Sequence, residues 1–94
     1  MKYALITGGS RGIGAAAARL FARRGWGVAV GYGKSKPRAQ ALALELSRLD
    51  VPALAVRADV SDARQVREMV DSVLEKFCQL DILVCSAYEA EQIK

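Results

Sequence analysis

The 94-residue sequence has no histidine, two cysteines, two prolines, one tryptophan and no acidic residue before Glu45. Without histidine, and with Cys78 and Cys85 too far apart for a C-x-x-C pair, an ordinary zinc site is excluded and no metal ligands are assigned. Both thiols are expected to be buried as small apolar side chains. No stretch approaches the ~18 consecutive apolar residues of a membrane span. The apolar run from Tyr3 to Ile6 is too short for a secretory signal, so the chain is expected in the cytoplasm with no membrane partner. Few prolines leave room for long regular elements.

A hydrophobic content of 52% with 26% charged residues belongs to a compact protein, and the length allows one domain. A chain this short buries only a little over ~60% of its unfolded surface, which makes for a thin core. The net charge of +4 is unevenly spread. Residues 1–47 hold eight Lys/Arg against Glu45 alone, whereas residues 48–94 hold six against nine acids. The first half therefore calls for an anionic partner. Nucleic acid is not that partner, because Arg19, Arg23 and Arg24 fall on the polar side of a predicted helix with no interleaved aromatics.

Along the chain, short apolar runs alternate with helical periodicity. Tyr3 to Ile6 reads as a strand that stops at Thr7-Gly8-Gly9-Ser10; a helix follows, with Ile13, Ala17, Leu20 and Phe21 as its apolar stripe. That helix should end near Arg24, with Gly25 in the left-handed position. Val28 to Val30 is a second strand, broken by Gly31. Pro37 opens a helix with Ala39, Leu42, Ala43, Leu46 and Leu49 on its apolar face, and Asp50-Val51-Pro52 ends it. Ala53 to Val56 is the third strand, and Asp59 to Asp62 supplies a cap for a third helix. Val66, Met69, Val70, Val73, Leu74 and Phe77 form that helix's stripe; Ile82 to Cys85 is the fourth strand. Strands that are apolar throughout, interleaved with amphipathic helices, imply an α/β fold with a parallel sheet covered by helices on both faces. Right-handed crossovers winding outward from the first strand predict the Rossmann-type order 3-2-1-4. The whole of 1–94 is read as one domain, truncated after the fourth strand, with 86–94 as a divergent tail.

Thr7-Gly8-Gly9-Ser10-Arg11-Gly12-Ile13-Gly14 lies between the first strand and its helix. In that position free backbone N–H groups and the positive end of the helix dipole converge on one spot and suit phosphate oxygens. Gly8 permits the tight turn, Gly12 the approach of the ligand and Gly14 close helix packing. A dinucleotide with a free ribose hydroxyl usually meets an acid about 20 residues beyond such glycines. Here the second strand ends instead in Tyr32, Lys34, Ser35, Lys36 and Arg38. Cations and hydroxyls suit a ribose phosphate, so NADP is expected rather than NAD, with Arg11 as the leading phosphate ligand and Lys34 and Ser35 behind it. Two other motifs are set aside. Gly33-Lys34-Ser35 lacks the first glycine of a P-loop, since that position is Val28. Tyr32-x-x-x-Lys36 cannot share a helical face across Gly33 and next to Pro37.

The T-G-x-x-x-G-I-G turn, Asp59-Val60 after the third strand and Leu80-Asp81-Ile82-Leu83-Val84 entering the fourth together resemble the short-chain dehydrogenase/reductase family, most closely its bacterial 3-oxoacyl-acyl-carrier-protein reductases. The resemblance implies a nicotinamide dinucleotide and hydride transfer to a carbonyl. It places Asp59 at the adenine amino group and Val60 beside the ring, although Asp59 also suits a helix cap. The family follows its fourth strand with Asn-Asn-Ala-Gly, whereas this sequence has Cys85-Ser86-Ala87-Tyr88, where only Ala87 matches. The family's catalytic Ser and helical Tyr-x-x-x-Lys match no position of the sequence, so no catalytic residue is assigned. The implied cofactor-binding residues are Gly8, Ser10, Arg11, Gly12, Ile13, Gly14, Tyr32, Lys34, Ser35, Asp59, Val60 and Ala87. The expected function is the NADP(H)-binding portion of such an oxidoreductase, without catalysis by itself. The alternative is a non-catalytic interaction module, or gene remnant, with a vestigial nucleotide site, self-associating through the apolar edge of the fourth strand.

Overall fold

The computed structural model describes residues 1–8 and 12–85. Its elements run β1 (Tyr3–Thr7), α1 (Gly12–Arg23), β2 (Gly27–Tyr32), α2 (Lys36–Ser47), β3 (Ala53–Arg57), α3 (Ala63–Phe77) and β4 (Ile82–Cys85). The four strands form one parallel sheet in the order β3-β2-β1-β4. Ile6 stands opposite Val30 on one side and Val84 on the other, so β1 is central and β4 is an edge.

Strands β1, β2 and β3 contribute alternate residues to two cores, whereas β4 adds only Val84 to one of them. Ile6, Val28 and Val30 pack with Ala15, Ala18 and Ala22 of α1 and Ala39, Leu42 and Leu46 of α2. Leu5 and Ala29 pack on the opposite face with Met69, Val73 and Phe77 of α3. This two-sided burial explains why β1 and β2 are apolar at nearly every position. Among the described residues, no helix is long and apolar enough to cross a membrane.

The apolar stripe of α1 differs from the expected one. Ile13 is 81% and Leu20 49% exposed, whereas Gly14, Ala15, Ala18 and Ala22 are buried and Ala17 and Phe21 only partly so. Small side chains let the helix backbone lie close to β1 and β2. Alanine carries too little hydrophobicity for periodicity to single that face out. Strand β2 also outruns its expected break at Gly31. A Cβ there would meet Met69 Sδ and the Thr7 Cα at 3.3 Å, so this glycine serves close packing rather than a turn. Helix α2 ends at Ser47, before the expected Asp50, and Leu49 lies 46% exposed beyond it. In α3, Met69, Val73 and Phe77 are buried but Leu74 is 40% exposed.

The two thiols, expected to be buried, are both exposed. Cys78 sits just past the buried Phe77, in the left-handed cap of α3 at φ 68°. Cys85 closes β4, which is the last strand of the sheet among the described residues. The end of α1 is as expected: Gly25 adopts φ 87°, and its N–H donates to the Ala22 carbonyl.

Candidate functional site

Because every strand is parallel, the turns after β1, β2 and β3 open on the carboxyl edge of the sheet. The chain leaves β1 toward β2 on one side and returns as β4 on the other, the switch point where such sheets form a crevice. Gly8 and Gly12 both lie in the left-handed region, at φ 66° and 63°, and bracket the turn into α1. A Cβ at Gly12 would meet nothing within 4 Å, so its backbone conformation, and no crowding, accounts for the glycine. Gly14 is buried on the sheet-facing side of α1. The exposed Ile13 projects from the helix's first turn, whose N–H groups have no partner within the helix. Thr7 Oγ1 donates to the Val84 carbonyl at 3.3 Å, tying the end of β1 to β4. Ser10 and Arg11 lie outside the described residues, as does Ala87.

The loop after β2 carries the cations. Lys34 and Lys36 are exposed, and Arg38 is exposed in the first turn of α2. Among the described residues none of the three is in an ion pair. Ser35 is the N-cap of α2, yet its hydroxyl makes no cap bond, and no acid sits in that helix's first turn. The only acid of the first half is engaged elsewhere: Glu45 accepts from Arg19 Nε at 2.7 Å and Nη2 at 3.2 Å. A groove of about 380 Å³ runs between the helices from Gly12 to Arg38 and this pair. Tyr32 is placed differently from its neighbours, since its ring is 9% exposed and packs in the core beneath α1 and α2.

The turn after β3 is ordered by its own side chains. Asp59 Oδ1 accepts from the Ser61 N–H at 2.9 Å and the Ser61 hydroxyl at 2.6 Å. These bonds, with help from the charges of Arg57 and Lys34, hold the Asp59 carboxyl below the usual carboxylate range. Lys34 and Asp59 therefore share one electrostatic environment. Asp59 does not cap α3. That cap is Asp62, which accepts from the Arg64 and Gln65 N–H groups at 3.0 and 3.4 Å. Val60 is 39% exposed beside it. Gln65 was not singled out from sequence: its Oε1 accepts the Asp59 N–H at 2.9 Å and its Nε2 donates to Asp62 Oδ2 at 3.3 Å. The pattern Asp62-x-x-Gln65 is its legible signal, a capping box whose glutamine reaches past the cap residue.

The larger groove, about 420 Å³, lies away from the glycine turn, between β3 and α3. It mixes Glu68 with Arg57 and Arg64, which gives it no clear preference for an anion.

The short chain dehydrogenase family profile matches residues 2–90, nearly the whole length. The chain belongs to that family. It is 43% identical over 86 residues to the 3-oxoacyl-[acyl-carrier-protein] reductase FabG of Staphylococcus aureus, which covers 92% of this chain and 35% of that protein. The crystal structure of a short chain dehydrogenase from Burkholderia cenocepacia in complex with NADP superposes with a TM-score of 0.85 at 51% identity, over 87% of this chain and 34% of that one. An alcohol dehydrogenase from Thermococcus sibiricus complexed with 5-hydroxy-NADP gives 0.83 at 43% identity, over 88% and 35%. The chain thus spans about a third of the length of these short chain dehydrogenases. Membership in this family of oxidoreductases agrees with the Rossmann-type order of the sheet.

Proposed function

We propose that this chain binds NADP(H) as the cofactor-holding portion of a short-chain reductase of the 3-oxoacyl-acyl-carrier-protein reductase type. The observation that carries the reading is the pair of left-handed glycines, Gly8 and Gly12, which stand at the end of β1 and the start of α1. There the diphosphate bridge meets free N–H groups and the positive end of the helix. Gly14 lets the helix lie close to the sheet, Ser10 adds a hydroxyl to the turn, and Ile13 shields the bridge from one side. Arg11, Lys34 and Ser35 hold the ribose phosphate beside the acid-free start of α2, with the Tyr32 backbone setting the end of that strand. Asp59 takes the adenine amino group, Val60 lies along the ring, and Ala87 passes the ribose. The bound cofactor supplies the hydride; the chain's own residues bind and orient it. A relative complexed with NADP and another with 5-hydroxy-NADP support the same cofactor class.

The chain is one domain and works in the cytoplasm, with no membrane or nucleic-acid partner. By itself it is expected to show no carbonyl-dependent NADPH oxidation, because Tyr3 and Tyr32 are held in or against the core and no described tyrosine has a helical lysine partner. NADPH fluorescence titration tests the reading. Saturable binding that Arg11→Ala weakens by about tenfold supports it, and no binding at millimolar cofactor refutes it.

A second reading has its own observation. Among the described residues β4 is an edge strand, with Ile82 39% and Leu83 43% exposed, one on each face of the sheet. Such an edge pairs readily with another strand, and we propose a second copy of this chain as that partner.

A further inference from the structure

The turn between β3 and α3 contains more order than a helix start requires. Asp62 alone caps α3. Yet Ser61 directs two donors onto a single oxygen of Asp59, and Gln65 links the Asp59 N–H to the cap carboxylate. The consequence lies in what is left over. Asp59 Oδ1 is filled by Ser61, whereas Oδ2 has no partner among the described residues. A carboxylate with both oxygens free rotates about its terminal torsion and spreads its acceptor directions. One pinned at Oδ1 presents Oδ2 in a single direction. Asp59 is also exposed, so Oδ2 faces space that a ligand can enter.

We propose that Ser61 and Gln65 are positioning residues: they aim Asp59 Oδ2 at the exocyclic amino group of an adenine ring, and so make this turn discriminate adenine from hypoxanthine. This rests on the NADP(H) reading above. An amino group donates to Oδ2, whereas the ring carbonyl of hypoxanthine sets an acceptor against a carboxylate and is repelled. Gln65 acts one step further back. Its side chain spans Asp59 and Asp62, so the backbone that carries the reading carboxylate is fixed to the first turn of α3.

The test compares the binding of NADPH with that of its reduced hypoxanthine analogue, in the wild-type protein and in Ser61→Ala, Ser61→Thr and Gln65→Leu. Wild type is expected to prefer NADPH by roughly tenfold, the effect of one charge-assisted hydrogen bond. Ser61→Ala and Gln65→Leu should cut that preference roughly threefold or more by weakening NADPH alone, and Ser61→Thr, which keeps the hydroxyl, should retain it. Carboxyl NMR titration supplies a readout independent of ligand: the Asp59 resonance titrates below the ordinary carboxylate range in wild type and moves up in Ser61→Ala. An unchanged Asp59 titration, or equal weakening of both nucleotides, overturns the positioning role while leaving the dinucleotide site intact. Binding of neither nucleotide by wild type overturns the underlying reading and this inference together.

Discussion

Tyr3 and Asp81 exchange hydrogen bonds at the point where β4 joins the sheet. The Tyr3 N–H donates to Asp81 Oδ2 at 2.8 Å, and the Asp81 N–H donates to the Tyr3 carbonyl at 2.9 Å. Gln79 Nε2 adds a bond to the same carboxylate oxygen at 2.7 Å and another to the Met1 carbonyl at 3.0 Å. One aspartate thus sets the register in which Ala4 faces Ile82.

That arrangement predicts a pH dependence. The Gln79 amide first, and then the Tyr3 N–H, hold the Asp81 carboxyl below its ordinary value of 3.8. A carboxylate depressed by folding contributes stability that is fully present above the unfolded value and is lost as pH falls through the folded one. Asp81→Asn should therefore lower Tm at neutral pH, and the difference from wild type should shrink as pH drops below about 4. Thermal melts across the acid range check this; a constant difference contradicts it.

Gly27 gives a steric prediction. A Cβ there would stand 2.5 Å from the Tyr3 ring, which is stacked on Phe77 at a centroid distance of 4.6 Å. The ring cannot move without leaving Phe77 or pressing into β2. Gly27→Ala should cost about 1–3 kcal/mol, the range for overpacking a filled site. Denaturant unfolding measures it, and a change near zero would show that the ring yields freely.

The strand order and the placement of the glycine turn were legible in the sequence because both depend on strong, local patterns. Four wholly apolar runs demand a sheet covered on both sides, and a glycine cluster between strand and helix has few other uses. The buried face of α1 was not legible, because Ala15, Ala18 and Ala22 are chosen for size, and hydrophobic periodicity weighs Ile13 and Leu20 more heavily. Gly31 misled for a related reason: a glycine required by Met69 and Thr7 across the sheet looks, in sequence, like one that breaks a strand. Around the site, Asp59 was readable but its supports were not. Whether an aspartate caps a helix or is held by Ser61 depends on torsions that set which carboxylate receives which N–H.

Cofactor choice follows from charge. Among the described residues Lys34 is in no ion pair, and its charge helps to depress the Asp59 carboxyl, while the Ser35 hydroxyl makes no cap bond to α2. Lys34→Glu should weaken NADPH by about tenfold or more while leaving NADH within roughly twofold, since only the former carries the ribose phosphate. Paired binding titrations decide it. Equal losses for both nucleotides would remove Lys34 from the phosphate site.

The exposed Ile82 and Leu83 of β4, an edge strand among the described residues, predict association. Light scattering after size exclusion should show a concentration-dependent dimer, and Ile82→Lys should return it to monomer by placing a charge on the edge strand. A wild-type monomer at high concentration contradicts the pairing.

The most direct test of the cofactor site is amide NMR during NADPH titration. The Gly8, Gly12 and Gly14 resonances should shift most, accompanied by those of Lys34, Ser35 and Asp59, and Arg11→Ala should weaken the response. Shifts confined to the groove between β3 and α3, around Arg64 and Glu68, or no shifts at millimolar NADPH, would contradict the account.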